Sequence, residues 1–229
     1  MNRSDLVSLF RQKVGDTVSP YNWSESFIVD LLNEAVDEAC IRARLLFDDE
    51  TEDVCVIDVT VGVDTYVLDP AIAFISKAYL VDSSDEVVEL AMVDRDELDR
   101  NVVDWRISEG DPEYLIVDEL EVQIVPPPEE DFTLKLECYR IPFDGEKLVV
   151  APGTGEDITD SAPVISSQHH RRLVAWPLSE VLDDADGDLY NPVKANSYML
   201  EFENYFGKSP GFDRFRKRRK NRPHVNKCW

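Results

Sequence analysis

The chain has 229 residues, 43% hydrophobic and 31% charged, enough to bury one large core or two small ones. Its net charge is −23, from 47 acidic and 24 basic residues, which sets the body of the chain against nucleic acid. Apolar runs such as Ile72–Ile75 and Val122–Pro128 fall far short of the roughly 20 residues of a membrane span, so no membrane partner is expected.

Residues 4–14 read as a short helix, with Ser4 as cap, Leu6, Leu9, Phe10 and Lys13 at helical spacing, and Gly15 as stop. After Ser19-Pro20 the clearest helix runs from about Ser24, a cap, to Leu46. Phe27, Ile28, Leu31, Leu32, Ala35, Ala39 and Ile41 make its apolar stripe, and Arg42 and Arg44 suit its negative end. From Val54 the period changes to two in a β-branched run, and Val61-Gly62-Val63-Asp64 reads as a hairpin turn into Thr65–Leu68. Further strands are expected at 73–82, 86–90, 113–117, 120–125 and 132–140, with a short helix from Asp94 to Asn101. The links carry turn chemistry: Ser83-Ser84-Asp85, Gly110-Asp111-Pro112 and Pro126-Pro127-Pro128. Residues 141–164 look irregular. Helix returns near Ser166 with Leu173, Val174, Trp176, Leu178, Val181 and Leu182, kinked by Pro177, and breaks at Asp184–Asp188. A last helix runs from about Pro192 to Phe206 and stops at Gly207.

Neither helical end can bury its stripe alone. The expected class is therefore α+β: N- and C-terminal helices packed into a helical bundle, with an inserted antiparallel β-sandwich or barrel. The expected divisions are 1–50, the N-terminal helices; 51–145, the all-β insertion; 146–207, the C-terminal helices; and 208–229, a basic arm. The core and subunit contacts of the helical part are assigned to Phe27, Leu31, Ala35, Leu173, Trp176, Phe202 and Phe206.

Charge is distributed unevenly. From Lys208 to Trp229 nine basic residues face one acid, Asp213, so this arm carries +8 and the rest −23 − 8 = −31. Solubility is one reading of so acidic a body; a high-salt cytoplasm is another. In the arm, Arg214, Arg216, Lys217, Arg218, Arg219 and Lys220 interleave with Phe212 and Phe215, and Trp229 ends the chain. Such a segment grips nucleic acid, docks on an acidic protein, or stays solvated; its aromatic residues favour a seated position. The N-terminus lacks the apolar stretch of a signal peptide, so the product is expected to stay where it is made. Cys40, Cys55, Cys138 and Cys228 are read as reduced thiols, with a Cys55–Cys138 bridge the minor alternative.

Catalytic sets are missing from the pattern. Glycine-rich nucleotide loops, HExxH and GxSxG do not occur, and no cofactor, metal or catalytic residue is expected. His169 and His170 are adjacent and point to different helix faces, so they do not grip one metal together. Asp183-Asp184-Ala185-Asp186-Gly187-Asp188 resembles a calcium loop but has Leu189 and Ala195 at the sixth and twelfth positions counted from Asp184, which fails twice.

The succession of motifs is more informative than any one of them. Trp23 precedes a helix carrying Leu32-Asn33-Glu34-Ala35. Gly62-Val63-Asp64-Thr65-Tyr66-Val67-Leu68-Asp69-Pro70 follows, then Trp105 before Gly110-Asp111-Pro112-Glu113-Tyr114. Next come Ile124-Val125-Pro126-Pro127-Pro128, Tyr139-Arg140-Ile141-Pro142, His170-Arg171-Arg172-Leu173-Val174-Ala175-Trp176 and Phe202-Glu203-Asn204-Tyr205-Phe206-Gly207. Over about residues 20–207 this order resembles the head-to-tail adaptor (connector) proteins that sit beneath the portal of tailed viruses.

The resemblance implies a non-enzymatic virion protein at the neck between head and tail, assembled in the host cytoplasm. It implies a homo-oligomeric ring, commonly of twelve copies, between the portal protein and a downstream tail or stopper protein. The helical part would form the ring wall, the β-domain would project, the C-terminal arm would reach the portal, and genome DNA would pass the lumen without sequence-specific contact. The strong acidity and the basic arm depart from the pattern and leave the arm's partner open. A nucleic-acid-binding module gripping DNA through residues 208–229 is the alternative.

Overall fold

The computed structural model describes residues 1–150, 160–185 and 189–210. Its helices are α1 (Arg3–Val14), α2 (Glu25–Ala43), α3 (Glu52–Cys55), α4 (Arg95–Asn101), α5 (His170–Leu173), α6 (Ala175–Asp183) and α7 (Pro192–Phe206). Its strands are β1 (Leu46–Asp48), β2 (Val56–Val59), β3 (Thr65–Val67), β4 (Ile72–Val81), β5 (Val87–Glu89), β6 (Ala91–Val93), β7 (Tyr114–Val117), β8 (Glu121–Val125) and β9 (Phe132–Arg140). Two compact units result. Met1–Leu46 and Arg140–Ser209 form the first, and the second holds Phe47–Tyr139.

In the first unit local chemistry sets the helix ends. Asn2, not Ser4, caps α1: its side chain accepts the Asp5 N–H at 3.0 Å while the Asp5 carboxylate accepts the Asn2 N–H at 3.2 Å. This reciprocal pair satisfies two free donors, where Ser4 alone would satisfy one. Gly15 ends the helix at φ 81°, a left-handed conformation that costs glycine little. Ser24 caps α2 by accepting the Phe27 N–H at 3.2 Å. That helix stops at Arg44, φ 53°, short of the expected Leu46, because Leu46 is drawn into a sheet as part of β1. The C-terminal helix is not merely kinked but divided: α5 ends at Leu173 and α6 starts at Ala175. Pro177 has no N–H for the Leu173 carbonyl four residues earlier, so the break falls there. Asn191 caps α7 with Pro192 in its first turn, and Gly207 ends it at φ 100°.

These helices share one core. Leu6 and Phe10 of α1, Ile28, Leu32, Ala35 and Ala39 of α2, Leu173 and Leu178, and Phe202 of α7 have no accessible surface. Their spacing of three and four residues brings each to one face of its helix.

The second unit contains two sheets around a common core, and no closed barrel forms among the described residues. One sheet has the order β1-β9-β4-β5, with β2 also on β9; the other has the order β3-β8-β7-β6. Val59, Ile75, Leu80, Leu134 and Leu136 from the first sheet meet Leu115, Val122 and Ile124 from the second in one buried cluster. Pairing departs from expectation at three places. Residues 61–64 do not make a hairpin, since β2 pairs β9 and β3 pairs β8; the turn carries the chain between sheets. The alternation beginning at Val54 starts instead with the helical turn α3, and the Glu50 and Thr51 N–H groups just before that turn donate to the Asp48 carboxylate. The sheets are not wholly antiparallel, because β6 and β7 run parallel, with Ala91 opposite Tyr114 and Val93 opposite Ile116. A parallel pair requires a crossover, and α4 supplies it. Leu98 of α4 is buried with Trp105, Ile116 and Val125 in a satellite cluster.

Candidate functional site

The two histidines have separate structural tasks. His170 is buried, its Nδ1 2.7 Å from the Met1 carbonyl and its Nε2 2.8 Å from the Ile165 carbonyl, so it fastens the chain start to α5. His169 faces the other way, with Nδ1 3.2 Å from the Tyr205 hydroxyl. No group of three metal-ligating side chains converges among the described residues. Asp186, Gly187 and Asp188 of the loop resembling a calcium site lie outside the described residues.

The residues assigned to the helical core and subunit contacts fall in different places. Leu31, Ala35, Leu173, Phe202 and Phe206 are buried within the first unit. Trp176 is half-buried beside Phe202, ring centroids 5.3 Å apart, with the Arg42 guanidinium over both rings. Phe27 departs from the stripe assigned to it. It is 42% exposed, because a residue directly before Ile28 points about 100° away from the buried face. The arm residues Phe212, Arg214, Phe215, Arg216, Lys217, Arg218, Arg219, Lys220 and Trp229 lie outside the described residues.

The sequence reading passed over the outer face of α7. Val193, Asn196, Ser197, Leu200 and Asn204 recur at helical spacing and line an open groove closed at one side by Arg172, Glu201 and Tyr205. Val193 is 80% exposed, and Leu200 and Tyr205 are also open to solvent. Arg172 donates to Glu201 at 2.8 Å and lies over the Tyr205 ring, so the rim is neutral. These five positions carry no charge, although the chain as a whole carries −23. That absence of charge at helical spacing was the signal available in the sequence.

A second surface has the opposite character. Glu34, Asp37 and Glu38 of α2 crowd with Asp144, and Glu34 also acts on Glu180 of α6. Burial first, then Glu34, Asp144 and Glu38, push the Asp37 carboxyl above its usual range, against the attraction of Lys147. One Asp37 oxygen is buried without a hydrogen-bond partner. Burial, Glu34 and Asp183 raise Glu180 likewise. Two of these carboxylates are paired, Glu38 with Arg42 at 2.7 Å and Asp144 with Lys147 at 3.0 Å, so the excess negative charge rests on Glu34, Asp37 and Glu180.

Two compact units, an uncharged helix face and a cluster of carboxylates are the surface features of the described residues. The family model of the SU10 adaptor protein matches residues 1–225, and the chain belongs to that family of structural phage adaptors. The family places it in the virion at the head–tail junction. No curated protein matches the chain.

Proposed function

We propose that the protein is the head-to-tail adaptor of its virus, forming a homo-oligomeric ring between the portal and a downstream tail or stopper protein. Family membership over residues 1–225 carries this reading. The helices on either side of the β-insertion form the ring wall as a bundle. Neighbouring copies meet through the uncharged face of α7, where Val193 and Leu200 gain by leaving water and no charge has to be desolvated. DNA passes a lumen whose negative walls offer no phosphate contacts.

The basic arm, 208–229, supplies attachment. Its +8 charge complements acidic surface of the kind formed by Glu34, Asp37, Asp144 and Glu180, on a neighbour or on the portal. Phe212, Phe215 and Trp229 are its anchors.

The test is the mass of the purified full chain, alone and mixed with the portal of the same virus. A ring-sized complex formed with the portal and lost on deletion of 208–229 is expected. A persistent monomer that ignores the portal and binds DNA at low salt would overturn the reading in favour of a nucleic-acid-binding module.

A further inference from the structure

Cys55 is the last residue of α3, and Cys138 lies in β9. Their sulfur atoms are 3.8 Å apart and not joined by a disulfide, and both residues are buried. We propose that this pair is a site of reversible intrachain disulfide formation, a covalent clasp across the β-unit.

Three features of the fold favour the bond. The partners are not alike in freedom. β9 is held between β4 on one edge and β1 and β2 on the other, whereas α3 is a single helical turn between the two short strands that share that edge. The sulfurs must approach from 3.8 Å to about 2.05 Å, and α3 can supply the movement. Apart from its contact with Cys138, the Cys55 thiol donates a weak hydrogen bond to Asp48 Oδ1 at 3.5 Å. Asp48 loses little if that donor goes, since its carboxylate also accepts from the Glu50 N–H, the Thr51 N–H and the Thr51 hydroxyl. Finally, among the described residues the one further thiol, Cys40, is buried in the core of the other unit.

The step is a two-electron oxidation. Each thiol gives up its proton and one electron, one S–S bond forms, and an oxidant such as an azodicarboxamide takes up two electrons and two protons to become the hydrazine. Burial, with Cys138 and Asp48 adding to it, pushes the Cys55 thiol well above the usual range. The reactive thiolate is therefore scarce, and the bond forms on local opening of α3. Residues 55 and 138 are 83 apart, so the closed loop contains β2 through β9 and the constraint on the unfolded chain is large. Resting on the adaptor reading, the clasp is open in the reducing cytoplasm and closes in released particles, where dissolved oxygen takes up the two electrons and two protons to become hydrogen peroxide.

The full chain, purified with reductant and then transferred to diamide, is alkylated and digested. Expected are a chain lighter by two hydrogens, a cross-linked peptide pair joining Cys55 to Cys138, and a melting temperature raised by about 5 °C or more and restored by dithiothreitol. The shift should vanish in Cys138→Ala. Recovery of Cys55 and Cys138 as alkylated thiols, or bridged to Cys40 or Cys228 instead, overturns the proposal. Released particles alkylated without reductant test the timing separately: free thiols there refute closure on release. Absence of the chain from particles counts against the adaptor reading alone.

Discussion

Asn33 of α2 and Leu148 exchange two hydrogen bonds: the Asn33 amide donates to the Leu148 carbonyl at 2.9 Å, and the Leu148 N–H donates to Asn33 Oδ1 at 2.9 Å. The side chain acts as a mimic of a strand edge, holding the chain against α2 where it returns after β9. Leu148 is buried, so both of its backbone groups depend on this partner. Asn33→Ala should cost about 1–3 kcal/mol, because it leaves a buried donor and acceptor unpaired. Asn33→Asp should cost more, since it keeps the acceptor but turns a carboxylate oxygen toward the carbonyl. Urea denaturation measures both; equal stability of Asp and wild type would refute the account.

Phe202 and Phe27 separate core from surface. Phe202 is fully buried between Trp176 and Phe206, centroids 5.3 and 4.7 Å away. Truncation to alanine should cost about 3–5 kcal/mol, the loss of a buried aromatic and the cavity it leaves. Phe27→Ala should be several-fold milder in the isolated chain. Thermal melts that rank the two equally would place Phe27 in the core after all.

Asp37 gives a pH dependence whose sign is fixed by its raised pKa. Folded Asp37 holds its proton to higher pH than the unfolded chain does. Between the unfolded and folded pKa values the folded state binds more protons, so stability falls as pH rises through that window. The cost is fully present above the folded pKa and absent below the unfolded one. Asp37→Asn should therefore stabilise the chain at pH 7 and lose this advantage near pH 3. A gain that is the same at both values would show that charge is not the cause.

The α7 face should be dispensable for folding and needed for assembly. Val193→Glu and Leu200→Glu add exposed charge to open positions and should change monomer stability by no more than about 0.5 kcal/mol. Both should block the ring formed with portal, as read by mass in solution. Rings formed at normal yield by both variants would move the contact between copies elsewhere.

The sequence by itself determined the elements whose signals are local. Gly15, Ser24, Asn191 with Pro192, and Gly207 mark helix ends through groups within a turn of them, and β9 follows from the alternation of Leu134, Leu136 and Cys138 with Thr133, Lys135 and Glu137. The order of motifs also carried the family likeness, which the match over residues 1–225 shows. Only the tertiary structure decided what depends on a distant partner. Leu46 fits a helix as well as a strand, and pairing with β9 chose the strand. Ala91–Val93 is too short to announce itself and exists because β7 lies beside it in parallel. Asn33 meets Leu148 across 115 positions, and Cys55 meets Cys138 across 83. Spacing along the chain holds no information about such meetings, since the hydrogen bonds and contacts that define them arise from the packing of whole elements.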